Sequence, residues 1–216
     1  MRKYDAVLWD LDGTISASGE GVRKCIRLML AEMGKPCPDL SDFSVFIGPP
    51  LTQTFSRLCG LSDEEVARAL PIYRRFYDIH GTKANSLYDG VEKALAALRK
   101  NGVKMAICTS KNERLARDVI DLLGIGGYLD AICGSRDDGT RKEKPDLIPY
   151  ALHSLGDIPK ERAVMIGDTC FDTKGAVTVG VDFIGVTYGY GRRDLMEEAG
   201  ATIFAATPED LLTYLI

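Results

Sequence analysis

Two carboxylates two residues apart, Asp10 and Asp12, close the apolar run Ala6-Val7-Leu8-Trp9 and are followed at once by Gly13 and Thr14. A carboxylate at the end of a buried strand must be hydrated, paired or metal-bound. In an open α/β sheet, ligands gather outside the carboxyl ends of the strands, where Asp10 would emerge. Gly13 permits a tight turn there, and Thr14 adds a hydroxyl. Asp-Gly is also an ordinary turn dipeptide, so this segment alone reads as a chain reversal too. Later segments decide between the two readings. Val103-Lys104-Met105-Ala106-Ile107-Cys108 is a second apolar run and ends in Thr109-Ser110-Lys111. Arg162-Ala163-Val164-Met165-Ile166 is a third, ending in Gly167-Asp168-Thr169-Cys170-Phe171-Asp172. Between them Lys142 and Lys144 stand just ahead of Pro145 and a helical stretch. Carboxylates, a hydroxyl, a lysine and further carboxylates recur in order, which is the make-up of a reaction centre.

For these groups to meet, the strands that carry them must share one edge. From about residue 88 onward, helical patterns over 89–101, 112–123, 146–156, 172–179, 192–199 and 207–216 alternate with strand-like runs near 103–109, 129–133, 162–167, 182–187 and 202–204. That alternation predicts a mainly parallel sheet with helices on both faces, a three-layer α/β/α Rossmann-like core. Right-handed crossovers put every carboxyl end on one edge, bringing Asp10, Thr109 and Asp168 together. Residues 17–85 read differently. Val22, Ile26, Met29, Leu30 and Met33 form one stripe of a helix over 21–33. Ser62-Asp63-Glu64-Glu65 is a capping-box start for a second helix carrying Val66, Ala69, Leu70 and Tyr73. No buried strand is evident there. The expected organisation is a core of 1–16 and 86–216 with an inserted all-helical cap at 17–85, hinged near 15–18 and 83–88.

The four ordered segments resemble those of the haloacid dehalogenase superfamily, whose members are mostly Mg-dependent phosphohydrolases. Asp10-Leu11-Asp12-Gly13-Thr14 matches the first motif, Thr109 the second, Lys144 the third, and Gly167 to Asp172 the fourth. About ninety-five residues separate the first two motifs, room for a helical cap. The segments 46–51, 134–141 and Tyr188-Gly189-Tyr190-Gly191 look like the phosphoglycolate-phosphatase-like and nucleotidase-like branch. Two positions depart from that branch. Small polar residues follow Thr14 where many members carry an acid near Ala17, and Leu147 replaces a second proline after Lys144.

The resemblance implies Asp10 as a nucleophile that forms an aspartyl-phosphate, and Asp12 as acid to the leaving group and then base to water. Mg²⁺ is implied on Asp10, Asp168 and the carbonyl of Asp12, with Asp172 binding through water or orienting Asp168. Thr109 and Lys144 would stabilise the transferring phosphoryl group, with main-chain donors at Leu11, Asp12 and Ser110. Thr14, Gly48, Pro49 and Lys111 complete the candidate phosphate and substrate contacts. Lys111 also reads as a surface lysine, and Gly48-Pro49-Pro50 as either a rigid loop over the pocket or a link between helices. Tyr73 to Tyr77 reads as a helix with aromatics inward and arginines in solvent, one arginine reaching substrate being the alternative. Asp137-Asp138 reads as a turn into Gly139.

With 216 residues, 45% hydrophobic and 27% charged, the composition is that of an ordinary globular enzyme. A net charge of −4 leaves no footprint for nucleic acid or an anionic membrane. No apolar run approaches the roughly 20 residues of a membrane span. Met1-Arg2-Lys3 runs straight into a strand and is no secretory signal. Six scattered cysteines without a Cys-x-x-Cys pair suggest a cytoplasmic setting with reduced thiols, Cys108 and Cys133 being core residues. Two histidines make a zinc site improbable. The expected activity is Mg-dependent hydrolysis of a small phosphomonoester, such as phosphoglycolate, a nucleotide or a sugar phosphate, by a monomer or homodimer. A sugar phosphomutase is the enzymatic alternative, and a non-catalytic phosphometabolite sensor the alternative from another class. Asp12 argues against a dehalogenase, whose halide needs no proton, and against a pure binder.

Overall fold

The computed structural model describes residues 3–136, 138 and 140–216. Met1, Arg2 and the expected turn through Asp137 and Gly139 lie outside the described residues. Asp138 accepts hydrogen bonds from the main chain and hydroxyl of Thr140.

Strand β1 (Ala6–Trp9) is buried on both faces, which is why its sequence shows no polar alternation. It pairs in parallel with β2 (Lys104–Asn112) on one side and β4 (Ala163–Gly167) on the other. β3 (Ala131–Ser135), β5 (Asp182–Val186) and β6 (Phe204–Ala205) complete a parallel sheet of order β3-β2-β1-β4-β5-β6. Chain order reverses between β1 and β4, so the loops leaving those strands diverge and open a crevice at their carboxyl ends.

Helices α4 (Val91–Lys100), α5 (Glu113–Leu123) and α9 (Pro208–Leu215) cover one face of the sheet. There Leu95, Leu98, Val119, Ile120 and Leu211 meet Val7, Trp9, Met105, Ile107 and Ile166. Helices α6 (Lys144–Ser154), α7 (Cys170–Val179) and α8 (Arg193–Glu198) cover the other. Leu147, Ile148, Ala176 and Met196 meet Ala6, Leu8, Cys108 and Met165 there. Alternate residues of β1 therefore serve opposite layers. Cys108 and Cys133 are buried, as read from the sequence.

Between β1 and α4 the described residues hold helices and isolated bridges, but no strand of the sheet. Helices α1 (Gly19–Glu32), α2 (Leu51–Arg57) and α3 (Asp63–Phe76) share a core of Ile26, Leu30, Phe55 and Tyr73. Ser62 and Glu65 form the expected capping box on α3. A wider π-helical turn, Tyr77–Gly81, follows α3. The two connections to the sheet lie side by side: Ala17 N donates to Ser86 O at 2.8 Å and Tyr88 N to Ile15 O at 3.2 Å.

Some boundaries differ from the sequence expectation for local reasons. β2 continues past 109 to Asn112, because an irregularity between Cys108 and Asn112 lets the polar Thr109-Ser110-Lys111 stay in strand conformation. α6 and α7 each start two residues early, so Lys144 and Asp172 lie within first helical turns. Among the described residues no helix is long and apolar enough to cross a membrane.

Candidate active site

Lys144 sits at the start of α6, where a cation opposes the helix dipole, so its burial needs acidic partners. It has them. Its Nζ donates to Asp10 Oδ1 at 2.6 Å and to the carbonyl of Cys108 at 2.7 Å. It also forms an ion pair with Asp172 Oδ1 at 2.5 Å, off the hydrogen-bond direction. Burial lowers the ammonium's affinity for its proton, but Asp10 and Asp172 together hold it above the ordinary lysine value. Asp172 is fixed from the other side by Thr169, whose main-chain N–H and hydroxyl donate to Oδ2 at 3.1 and 2.7 Å. This capping box of α7 explains why a buried carboxylate stands in a helix's first turn.

Asp168, leaving β4, is fully buried and is held by main-chain groups. Tyr190 N and Gly191 N donate to its Oδ2 at 2.8 and 3.2 Å, and Thr14 Oγ1 donates to Oδ1 at 3.2 Å. The approach demands glycine. A Cβ on Gly191 would lie 1.7 Å from the Asp168 carbonyl oxygen, and one on Gly13 (φ 90°) 2.2 Å from Asp168 Oδ2. Burial, then Asp172 and Asp10, push the Asp168 carboxyl well above its usual range, opposed by the two amides. Asp10 is likewise pushed up to about 7, by burial first, with Lys144 pulling it back.

Asp12 turns away from this cluster. Both of its oxygens accept from Lys111 Nζ, at 2.8 and 2.7 Å, at the wall of a cavity of about 240 Å³. Asp10, Asp12, Thr109, Ser110 and Lys111 line its floor. Phe46, Gly48, Pro49, Leu70, Tyr73 and Arg74 of the helical segment contribute its roof.

Oxygens of Asp10, Asp168 and Asp172 all lie within 4.8 Å of one another. Asp10 and Asp172 share one ammonium and Asp168 lies beside them, so in a dry site all three carboxyls ionise together only with a divalent cation among them. The donors are all oxygen, the set that Mg²⁺ takes. The residues present therefore fit that ion.

The structure thus brings Asp10, Thr109, Lys144, Asp168 and Asp172 to one edge, with Asp12, Ser110, Lys111, Gly48 and Pro49 around the cavity. Neither Leu11, expected to act through its main-chain N–H, nor Thr14 is among the residues lining the cavity. The Leu11 side chain is in the core, its carbonyl accepting from three successive amides of the turn, and the Thr14 hydroxyl faces Asp168. The surface reading of Lys111 is corrected: its side chain is only 8% exposed, because Asp12 and the ring of Tyr77 enclose the ammonium. The solvent reading of the arginines fails for Arg74, which is half-buried and lines the cavity, whereas Arg75 is exposed. Both readings of Gly48-Pro49-Pro50 hold, since the loop leads into α2 and also lines the cavity. The amides of Tyr190 and Gly191 were not anticipated as Asp168 donors. Glycines after β5, on the edge that carries Asp10, were the available signal.

Comparison with known proteins bears on this arrangement. The model of the haloacid dehalogenase-like hydrolase family matches residues 7–186. The tyrosine-protein kinase PtkA of Mycobacterium tuberculosis is 38% identical over 207 residues, covering 95% of this chain and 70% of that protein. A 5'-nucleotidase of Pseudomonas aeruginosa is 36% identical over 204 residues, covering 94% and 92%. The solved structure of a "predicted phosphatase" from Clostridium acetobutylicum superposes with a TM-score of 0.90 at 34% identity, covering 97% of each chain. The chain belongs to the haloacid dehalogenase-like hydrolase family.

Proposed function

We propose that this chain is a Mg-dependent phosphatase that hydrolyses a small phosphomonoester through a phosphoryl group carried on Asp10. The observation that supports this most is Asp10 at the cavity floor, with one oxygen held by buried Lys144 and two further buried carboxylates beside it. The Lys144 ammonium occupies Oδ1, which leaves the second oxygen of Asp10 to attack phosphorus. As the P–O bond to the leaving group breaks, Asp12 passes a proton to the departing oxygen. Water then attacks phosphorus, the bond to Asp10 breaks, and Asp12 takes the water's proton. Thr109 and Lys144 face the charge that develops on the phosphoryl oxygens. Mg²⁺, held by Asp10, Asp168 and the carbonyl of Asp12 with Asp172 behind them, would cancel the repulsion between nucleophile and phosphate.

Residues 17–85 act in this reading as a cap hinged at 15–18 and 83–88. Their mainly apolar roof, which includes Arg74, excludes bulk water and limits substrates to small phosphates. The setting is the cytosol, in keeping with six free thiols. The test is phosphate release from a panel of phosphorylated metabolites, with Mg²⁺ and with chelator. Release that needs the metal supports the proposal. Phosphate moving between positions of a sugar would favour a mutase. Transfer from a nucleoside triphosphate to a protein tyrosine would align the chain with the relative named as a kinase.

A further inference from the structure

We propose that Lys111 is a positioning residue for Asp12, set in place from the hinge of the helical segment through Tyr77 and Asn85, and not a ligand of the substrate phosphate. The inference rests on the reading of Asp12 as proton donor and acceptor.

An ammonium has three N–H directions. Two of those of Lys111 go to the two oxygens of Asp12, at 2.8 and 2.7 Å. The ring of Tyr77 lies 4.5 Å from Nζ and covers a further side. Donors for a phosphate would come free only by giving up both hydrogen bonds to Asp12 at a nearly buried site, where an ammonium left without acceptors costs more than in water. Lys144 already supplies a cation beside Asp10.

Tyr77 is itself fixed. It is 1% exposed, and a Cβ on Gly81 would lie 2.3 Å from its ring, so the π-helical turn closes directly against it. Its hydroxyl accepts from Asn85 Nδ2 at 3.3 Å. Asn85 Nδ2 also faces the carbonyls of Gly81 and Thr82 at 2.8 and 2.9 Å, and its Oδ1 accepts from Ser16 Oγ at 2.7 Å. Ser16 O in turn accepts from Gly13 N at 2.9 Å, one residue beyond Asp12. The circuit Asp12–Gly13–Ser16–Asn85–Tyr77–Lys111–Asp12 therefore joins both hinge segments to one carboxylate. Displacing the helical segment would move Tyr77, release Lys111 and free the Asp12 rotamer.

The test uses two esters of similar shape, benzyl phosphate and p-nitrophenyl phosphate, with folding of each variant checked by near-UV circular dichroism. The benzyl oxygen leaves as a strongly basic alkoxide and needs a proton; nitrophenolate does not. Because kcat/KM reports steps through formation of phosphoryl-Asp10, Lys111→Met should lower it about tenfold or more for benzyl phosphate. For p-nitrophenyl phosphate it should change less than about threefold, while kcat falls because water attack still uses Asp12. Lys111→Arg should restore most of the benzyl activity, and Tyr77→Leu should show the same selectivity in weaker form. Placed on Asp12→Asn, Lys111→Met should cost nothing further. Equal loss of kcat/KM on both esters would mark Lys111 as a phosphate ligand and overturn the proposal, as would an additive loss on Asp12→Asn. If Asp12→Asn discriminates between the esters and Lys111→Met does not, the positioning inference alone fails. If Asp12→Asn does not discriminate, the assignment of Asp12 fails first.

Discussion

Replacing Lys144 with methionine removes the cation from between two buried carboxylates. Nζ lies 2.6 Å from Asp10 and 2.5 Å from Asp172, in a side chain 3% exposed. Deleting one partner of a buried pair typically costs about 3–5 kcal/mol, a large part of the roughly 5–15 kcal/mol that holds a domain together. The cost should also depend on pH in a definite direction. In chelator, burial holds Asp10 up at about 7 even with Lys144 beside it. The native state therefore keeps a proton that the unfolded chain has lost above about pH 4. Native stability should fall between about pH 4 and 7 and then level off for this group. Without the ammonium, the carboxyl holds its proton to higher pH, so the variant continues to lose stability. The gap between the two proteins should widen above pH 7, by up to about 1.4 kcal/mol per pH unit. Urea unfolding at pH 6, 7, 8 and 9 with chelator measures it. A gap below about 1 kcal/mol, or one unchanged from pH 6 to 9, would refute the buried-charge reasoning.

Mg²⁺ should raise the thermal midpoint of the native protein, with about 2.7 kcal/mol of stabilisation at a hundredfold excess over its Kd, and should not do so for Asp168→Asn. Calorimetry with and without Mg²⁺ reads this directly. Gly191→Ala places a Cβ 1.7 Å from the Asp168 carbonyl oxygen, so it should cost about 1–3 kcal/mol and weaken the Mg²⁺-induced shift, as chemical denaturation and calorimetry would record. Asn85→Ala leaves Ser16 Oγ without its partner and should cost about 1–3 kcal/mol in urea unfolding.

The sheet was legible because doubly buried parallel strands leave an unmistakable signal: runs such as Ala6–Trp9 with no polar alternation, spaced by helical periods. Asp10, Asp168 and Lys144 were legible for a related reason, since each stands where a strand ends or a helix opens. Less legible were contacts made by groups that sequence pattern does not distinguish. The amides of Tyr190 and Gly191 around Asp168 are main-chain donors, identical in kind at every residue. Lys111 looks like any polar lysine after a strand; only the fold brings Tyr77, from a helical segment far away in sequence, onto its ammonium. Arg74 shows the same limit, because helical periodicity gives the face but not what the face meets. Thr14 shows the converse, a residue in the expected motif whose hydroxyl turns to Asp168 instead of the cavity.

The central claim is that Asp10 carries the phosphoryl group. The most direct measurement is acid quench of the native protein during turnover, followed by borohydride reduction and mass spectrometry of the peptide that contains position 10. Reduction of an acyl phosphate there would convert Asp10 to homoserine, in a yield that depends on substrate and Mg²⁺ and is lost in Asp10→Asn together with phosphate release. Unmodified Asp10 in a protein that turns over, with phosphate release persisting in Asp10→Asn, would contradict it.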